Sequence, residues 1–173
     1  YGYESTTNII SNNTLWDNYH GIYLVDSDYT TASNNNLTSS DVYSLFVHKG
    51  TTNSYFNNNN LSAGLEAIRI KSSSNGNQFT GNLISNHTTY GVYSTDSDSN
   101  TFTNNTIQNN SANVYISNSN TYNFVNNTIT LGISGIQAIA SSDGLMLTNN
   151  TINSTTNTTP CLEINDSSNA DIS

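Results

Sequence analysis

Lys49, Arg69 and Lys71 are the entire basic complement of a 173-residue chain, and they fall close together with His48 and Glu66. Cations beside a carboxylate would serve one reaction in particular, removal of the proton next to a uronate carboxyl, in which a base takes the proton and cations or calcium hold the negative charge. Lys49, Glu66, Arg69 and Lys71 are therefore the catalytic candidates. No group of three or more carboxylates lies near them to hold calcium. A ladder of partly exposed ion pairs, with Asp26 stacked on Lys49, accounts for the same residues without catalysis.

The other reactive side chains point to no metal and no cofactor. Asp26 with Asp28, and Asp96 with Asp98, pair carboxylates in turns, but Lys49 and Ser72 occupy the positions between them, so calcium lacks a ligand set. His20, His48 and His87 share neither a ligand spacing nor a cysteine partner, which leaves zinc unsupported. Cys161 is alone, cannot form an internal disulfide, and is expected to be a small, partly buried thiol. There is no glycine-rich phosphate loop and no serine nucleophile motif. Twelve acids against three bases give a formal charge of −9, which repels nucleic acid. No apolar run reaches the length of a membrane span. The chain opens on Tyr1 without a basic-then-apolar leader, and is expected to be a processed protein or an excised piece.

Asparagine supplies the most abundant chemical signal. Eleven Asn residues begin an Asn-x-Ser/Thr triplet without proline: Asn12, Asn36, Asn60, Asn86, Asn104, Asn109, Asn126, Asn149, Asn153, Asn157 and Asn165. Triplets beside the asparagine column described next are poor acceptors if buried. Asn86, Asn109, Asn153 and Asn157, in the loop after an anchor strand, are the expected N-glycosylation sites, together with Asn36 and Asn60.

The elements that position these residues follow from a repeat. The pattern Asn-x-Ile/Leu places Asn13, Asn35, Asn59, Asn82, Asn105, Asn127 and Asn150 at spacings of 22, 24, 23, 23, 22 and 23 residues. Each is followed two residues on by Leu15, Leu37, Leu61, Ile84, Ile107, Ile129 or Ile152. Five residues before those lies a second apolar column, Ile10, Ala32, Phe56, Phe79, Phe102, Phe124 and Leu147, with Ile172 closing it. A third column runs Ile22, Leu45, Ile68, Val92, Val114, Ile136 and Leu162. Helical spacing is absent, so each period holds three short strands, and only stacking of successive periods, about 4.8 Å apart, hides their apolar faces. The fold expected is an all-β, right-handed, single-stranded parallel β-helix of about seven coils of 22–24 residues, one domain over residues 1–173.

The residue before each anchor is Asn12, Asn34, Asn58, Gly81, Asn104, Asn126 or Asn149, and an asparagine column that accepts glycine predicts left-handed backbone. The anchor column is asparagine throughout, which predicts a ladder of buried amides bonded from coil to coil. On the outside, Tyr23, Phe46, Arg69, Tyr93 and Tyr115, followed by Gln137 and Glu163, form a column able to receive sugar rings or a neighbouring subunit; plain cross-strand packing explains it equally.

The segments FTGNLISNHTTYGVYSTDSDSNTFTNNTI (79–107) and FTNNTIQNNSANVYISNSNTYNFVNNTI (102–129) resemble the right-handed β-helix repeats of the pectate-lyase-like superfamily, especially NosD-type or CASH-domain proteins. That resemblance covers nearly the whole chain and implies an archaeal or bacterial surface protein; its functions range over polysaccharide lyases and hydrolases, periplasmic accessory proteins and long surface proteins. The copper associated with the NosD name does not carry over, because Met146 and Cys161 lie in different coils. With neither terminus offering a cap, subunits are expected to stack end to end or to be cut from a longer solenoid. The first expectation is an extracellular structural glycoprotein, a rigid rod able to form a filament or sheath. The alternatives are a carbohydrate-binding or polysaccharide-degrading β-helix and an adhesin stalk.

Overall fold

Strands of three residues cannot be stable singly, and the chain solves this by lining each up with its equivalent one period away. In a computed structural model, which describes residues 2–3, 6–155, 158–166 and 168–173, the chain winds into a right-handed parallel β-helix of about seven coils. One sheet has eight strands, each two or three residues long, from Ile9–Ser11 to Asp171–Ile172. The other is a twelve-stranded sheet that wraps the remaining sides, and every pairing is parallel. In three coils the second and third strands of the period run on as one bent strand, Asn36–His48, Asn60–Lys71 and Leu83–Thr95, so the expected break between them is there only a register shift.

All three apolar columns hold register. Ile10, Ala32, Phe56, Phe79, Phe102, Phe124, Leu147 and Ile172 lie one above another. Phe56, Phe79, Phe102 and Phe124 are buried and stack at centroid distances of 4.7, 4.5 and 4.9 Å. These columns form one narrow core along the rod axis.

The corners are where the polar composition is used. Asn12, Asn34, Asn58, Asn104, Asn126 and Asn149 have φ between 53° and 58°, and Gly81 has 66°. Asparagine tolerates this left-handed region because its short amide relieves the local polar groups. The next residue turns inward. Asn105 donates from both its backbone N–H and Nδ2 to Asn127 Oδ1, at 2.8 and 3.0 Å, while a second Nδ2 hydrogen reaches Phe79 O at 2.9 Å. The same three bonds recur at Asn35, Asn59, Asn82 and Asn127, so each Oδ1 accepts twice and each Nδ2 donates twice. Only an amide at this reach does both, which neither Asp nor Ser can.

Two further ladders line the opposite corner. Inside, Thr30, Ser54 and Asn77 each donate a backbone N–H to the side-chain oxygen one coil on, at Ser54, Asn77 and Asn100, and Asn100 Nδ2 donates to the Tyr122 hydroxyl. Outside, the Asp28 carboxylate accepts from Thr52 N, Asn75 from Asp98 N, Asp98 from Asn120 N, Asn120 from Asp143 N, and Asp143 from Ser168 N. The carboxylates of Asp28, Asp98 and Asp143 thus serve backbone capping, while Asp96 accepts from the Asn118 side chain. Among the described residues no group of three His, Cys, Asp or Glu is arranged to hold a metal.

Candidate functional site

The site is built on the outward side of the large sheet. Register places Tyr23, Phe46, Arg69, Tyr93, Tyr115, Gln137 and Glu163 in one column. Beside it stands a second column, His20, Tyr43, Glu66 and Tyr90, each three residues earlier. Residues three apart on a flat strand face opposite ways. Here a small residue intervenes, Gly21, Ser44, Ala67 or Gly91, and a Cβ at Gly21 would meet Ser44 O at 2.5 Å, one at Gly91 Asn113 O at 2.6 Å. That tight passage lets both columns share a face.

The rings associate with each other. Tyr23 stacks on Phe46 at 4.8 Å and 4°, His20 on Tyr43 at 5.0 Å and 4°, and Tyr93 on Tyr115 at 5.0 Å and 17°. Their faces are turned along the rod toward neighbouring coils, which leaves the ring edges outermost.

One coil interrupts both stacks with charge. Arg69 Nη2 donates to Glu66 Oε1 at 2.9 Å, and Arg69 Nε lies 2.9 Å from Glu66 Oε2 in a geometry too bent for a hydrogen bond. The side chains are only 18% and 8% exposed. The guanidinium carbon sits 3.8 Å from the Tyr93 ring centroid and 5.3 Å from that of Tyr43. Burial raises the Glu66 carboxyl above its ordinary range, and the adjoining Arg69 only partly offsets this.

This arrangement corrects the expected ladder of ion pairs. Among the described residues the only ion pair is Glu66–Arg69, and it lies within one coil. Lys71 is level with His48 in the next outward column, and Lys49 is exposed at the corner beyond. Burial first, then the charges of Lys71 and Lys49, hold His48 below its ordinary value. Of the four catalytic candidates, the structure joins Glu66 with Arg69 and leaves Lys49 and Lys71 apart from them.

The asparagines expected to carry glycan are spread differently. Asn36 and Asn60 are half-buried and paired, Nδ2 of Asn60 donating to Asn36 Oδ1 at 2.8 Å. Asn86 and Asn109 are exposed and paired at 2.6 Å. Asn153 is exposed, and Asn157 lies outside the described residues. The triplets beside the ladder, at Asn12, Asn104, Asn126 and Asn149, begin on exposed corner residues; it is the following asparagine that turns inward.

The sequence reading missed His20, Tyr43 and Tyr90, whose signal was their recurrence three residues before Tyr23, Phe46 and Tyr93. It also missed a role for His87. That imidazole is buried where Ser40 and Gly64 precede it and Asn110 follows, its Nε2 3.2 Å from Leu61 O. Burial holds it down to about 4.

Solved structures with a similar fold include two epimerases. The periplasmic alginate epimerase AlgG superposes with a TM-score of 0.66 at 14% identity over 99% of this chain and 46% of its own. The Azotobacter vinelandii mannuronan C-5 epimerase AlgE6 A-module gives 0.73 at 13% identity over 97% of this chain and 58% of its own. At such identities the likeness is one of fold, and the chain spans about half the length of either protein. No curated protein matches the sequence. A family model, described as the right handed beta helix region, matches residues 1–152, so the chain belongs to that family of β-helix proteins.

Proposed function

We propose that this chain is an extracytoplasmic β-helix module that holds a polysaccharide along its outward aromatic face. The observation that carries the reading is one continuous face on which His20, Tyr23, Tyr43, Phe46, Tyr90, Tyr93 and Tyr115 flank the buried Glu66–Arg69 pair in register. Phenol edges and hydroxyls meet sugar hydroxyls, while the sandwiched pair keeps the face rigid. Binding without turnover fits the chemistry best, since the Glu66 carboxylate is already held by Arg69. Affinity electrophoresis of the protein through gels containing alginate, polygalacturonate or a neutral glucan tests it. Retardation by at least one polymer is expected, weakened about tenfold by Tyr93→Ala with Tyr115→Ala, a change of about 1.4 kcal/mol. Equal mobility in all gels sinks the proposal.

A second reading makes the same rod a structural element of a cell surface, a filament subunit or an adhesin stalk. It is favoured by the regularity of the rod, whose strands keep parallel pairing from coil to coil over about seven turns. Rods growing with concentration in electron micrographs support it; particles of one subunit's length at every concentration defeat it.

A further inference from the structure

One corner of the rod repeats a modification signal in register. Asn104, Asn126 and Asn149 occupy equivalent corners of three successive coils, each with a threonine two residues on, Thr106, Thr128 and Thr151. Asn12, with Thr14, holds the same corner in the first coil, whereas the coils between place Asn36, Asn60 or Leu83 at the threonine position.

Two features leave these residues open, and a third separates them from the paired triplets at Asn36, Asn60, Asn86 and Asn109. They are exposed, with φ of 56°, 56° and 54°, so the backbone turns at each and the side chain leaves the convex corner. Their backbone N–H groups are satisfied by the next coil, on Val125 O, Thr148 O and Ser173 O. Their side-chain amides have no hydrogen-bond partner among the described residues, unlike the paired amides of Asn86 with Asn109 and of Asn36 with Asn60. A sugar on the corner amide therefore displaces nothing, while one at Asn109 or Asn60 pushes against its partner.

We infer that Asn104, Asn126 and Asn149 form a stacked column of N-glycan acceptors, filled on alternate coils. The donor is a polyprenyl-phosphate-linked oligosaccharide. The bond from sugar C1 to the phosphate oxygen breaks, a bond from C1 to Asn Nδ2 forms, the amide loses one proton, and the lipid phosphate leaves. Coils about 4.8 Å apart leave no room for two branched glycans on adjacent rungs. Asn104 and Asn149 fill together, or Asn126 fills alone.

The test is secretion of the full chain, with one sequon on an appended flexible tail, from a glycosylating eukaryotic host. Intact mass is followed by enzymatic glycan release in heavy-oxygen water and peptide mapping. The expected result is glycan on this column, never on all three coils of one molecule, with Asn86 and Asn109 bare. Thr128→Ala, which keeps the corner asparagine, should raise the doubly filled Asn104 and Asn149 form and leave Tm unchanged. A filled tail with three bare corners overturns the inference, as does one molecule carrying all three glycans.

Discussion

Two stacks of rings run along this rod, one inside and one outside, at nearly the same spacing. The inner one, Phe56, Phe79, Phe102 and Phe124, holds one residue type over four coils and is buried. The outer one changes from Tyr23 and Phe46 to Tyr93 and Tyr115, and gives way between them to Arg69. Stacking at the coil spacing is therefore a property of the solenoid, common to the buried and the outward rings. What distinguishes the surfaces is what happens when the stack is interrupted. Inside, a charge would lose its hydration without compensation; outside, Glu66 and Arg69 are tolerated because each has the other and water remains near.

Truncating a ring in each stack tests this contrast, and the inner one should matter most. Phe102→Ala leaves a cavity between two phenylalanines and should destabilise the fold by about 3–5 kcal/mol in denaturant melts. Asn105→Ala comes next. It leaves Asn82 N–H and one Nδ2 hydrogen without their acceptor and removes the side-chain donor to Asn127 Oδ1 and Phe79 O, all in the interior, for a loss of about 3 kcal/mol by the same measurement.

His87 sharpens the comparison through pH. Its folded value of about 4 lies below the ordinary 6.5, so the folded chain binds fewer protons than the unfolded one. Stability from this group is complete above pH 6.5 and falls as pH drops toward 4, by up to about 3 kcal/mol. His20 and His48 shift the same way but are partly exposed, and Glu66, shifted upward, works in the opposite sense. His87→Asn, the type found at Asn110 one coil on, should flatten the acid limb of the stability curve; an unchanged limb would show that another group is responsible. The smallest effect belongs to the outer stack, where Tyr115→Ala should cost about 1 kcal/mol of stability. A loss as large as that of Phe102→Ala would erase the distinction between the two stacks.

Much of the architecture was legible because a period of 22–24 residues carries apolar types in fixed columns, and such columns have few solutions. The site was legible only in part. Tyr23, Phe46, Arg69, Tyr93 and Tyr115 appear as one column, but the second column beside it depends on the close backbone approach at Gly21 and Gly91, which no pattern of residue types displays. The outer ladder from Asp28 through Asn75, Asp98 and Asn120 to Asp143 escaped notice because its members vary in type while keeping an acceptor oxygen in one place.

The sequence by itself determined the winding: the hydrophobic period, the left-handed corners and the asparagine column are local preferences repeated until stacking is the one way to satisfy them together. Tertiary structure alone decided which polar groups spend their hydrogen bonds on one another and which leave them to solvent. Glu66 with Arg69, and Asn86 with Asn109, come out paired, while the amides of Asn104, Asn126 and Asn149 face outward. The reason is geometric. A hydrogen bond is lost over a fraction of an ångström, whereas the hydrophobic pattern that sets the register is indifferent to such displacements.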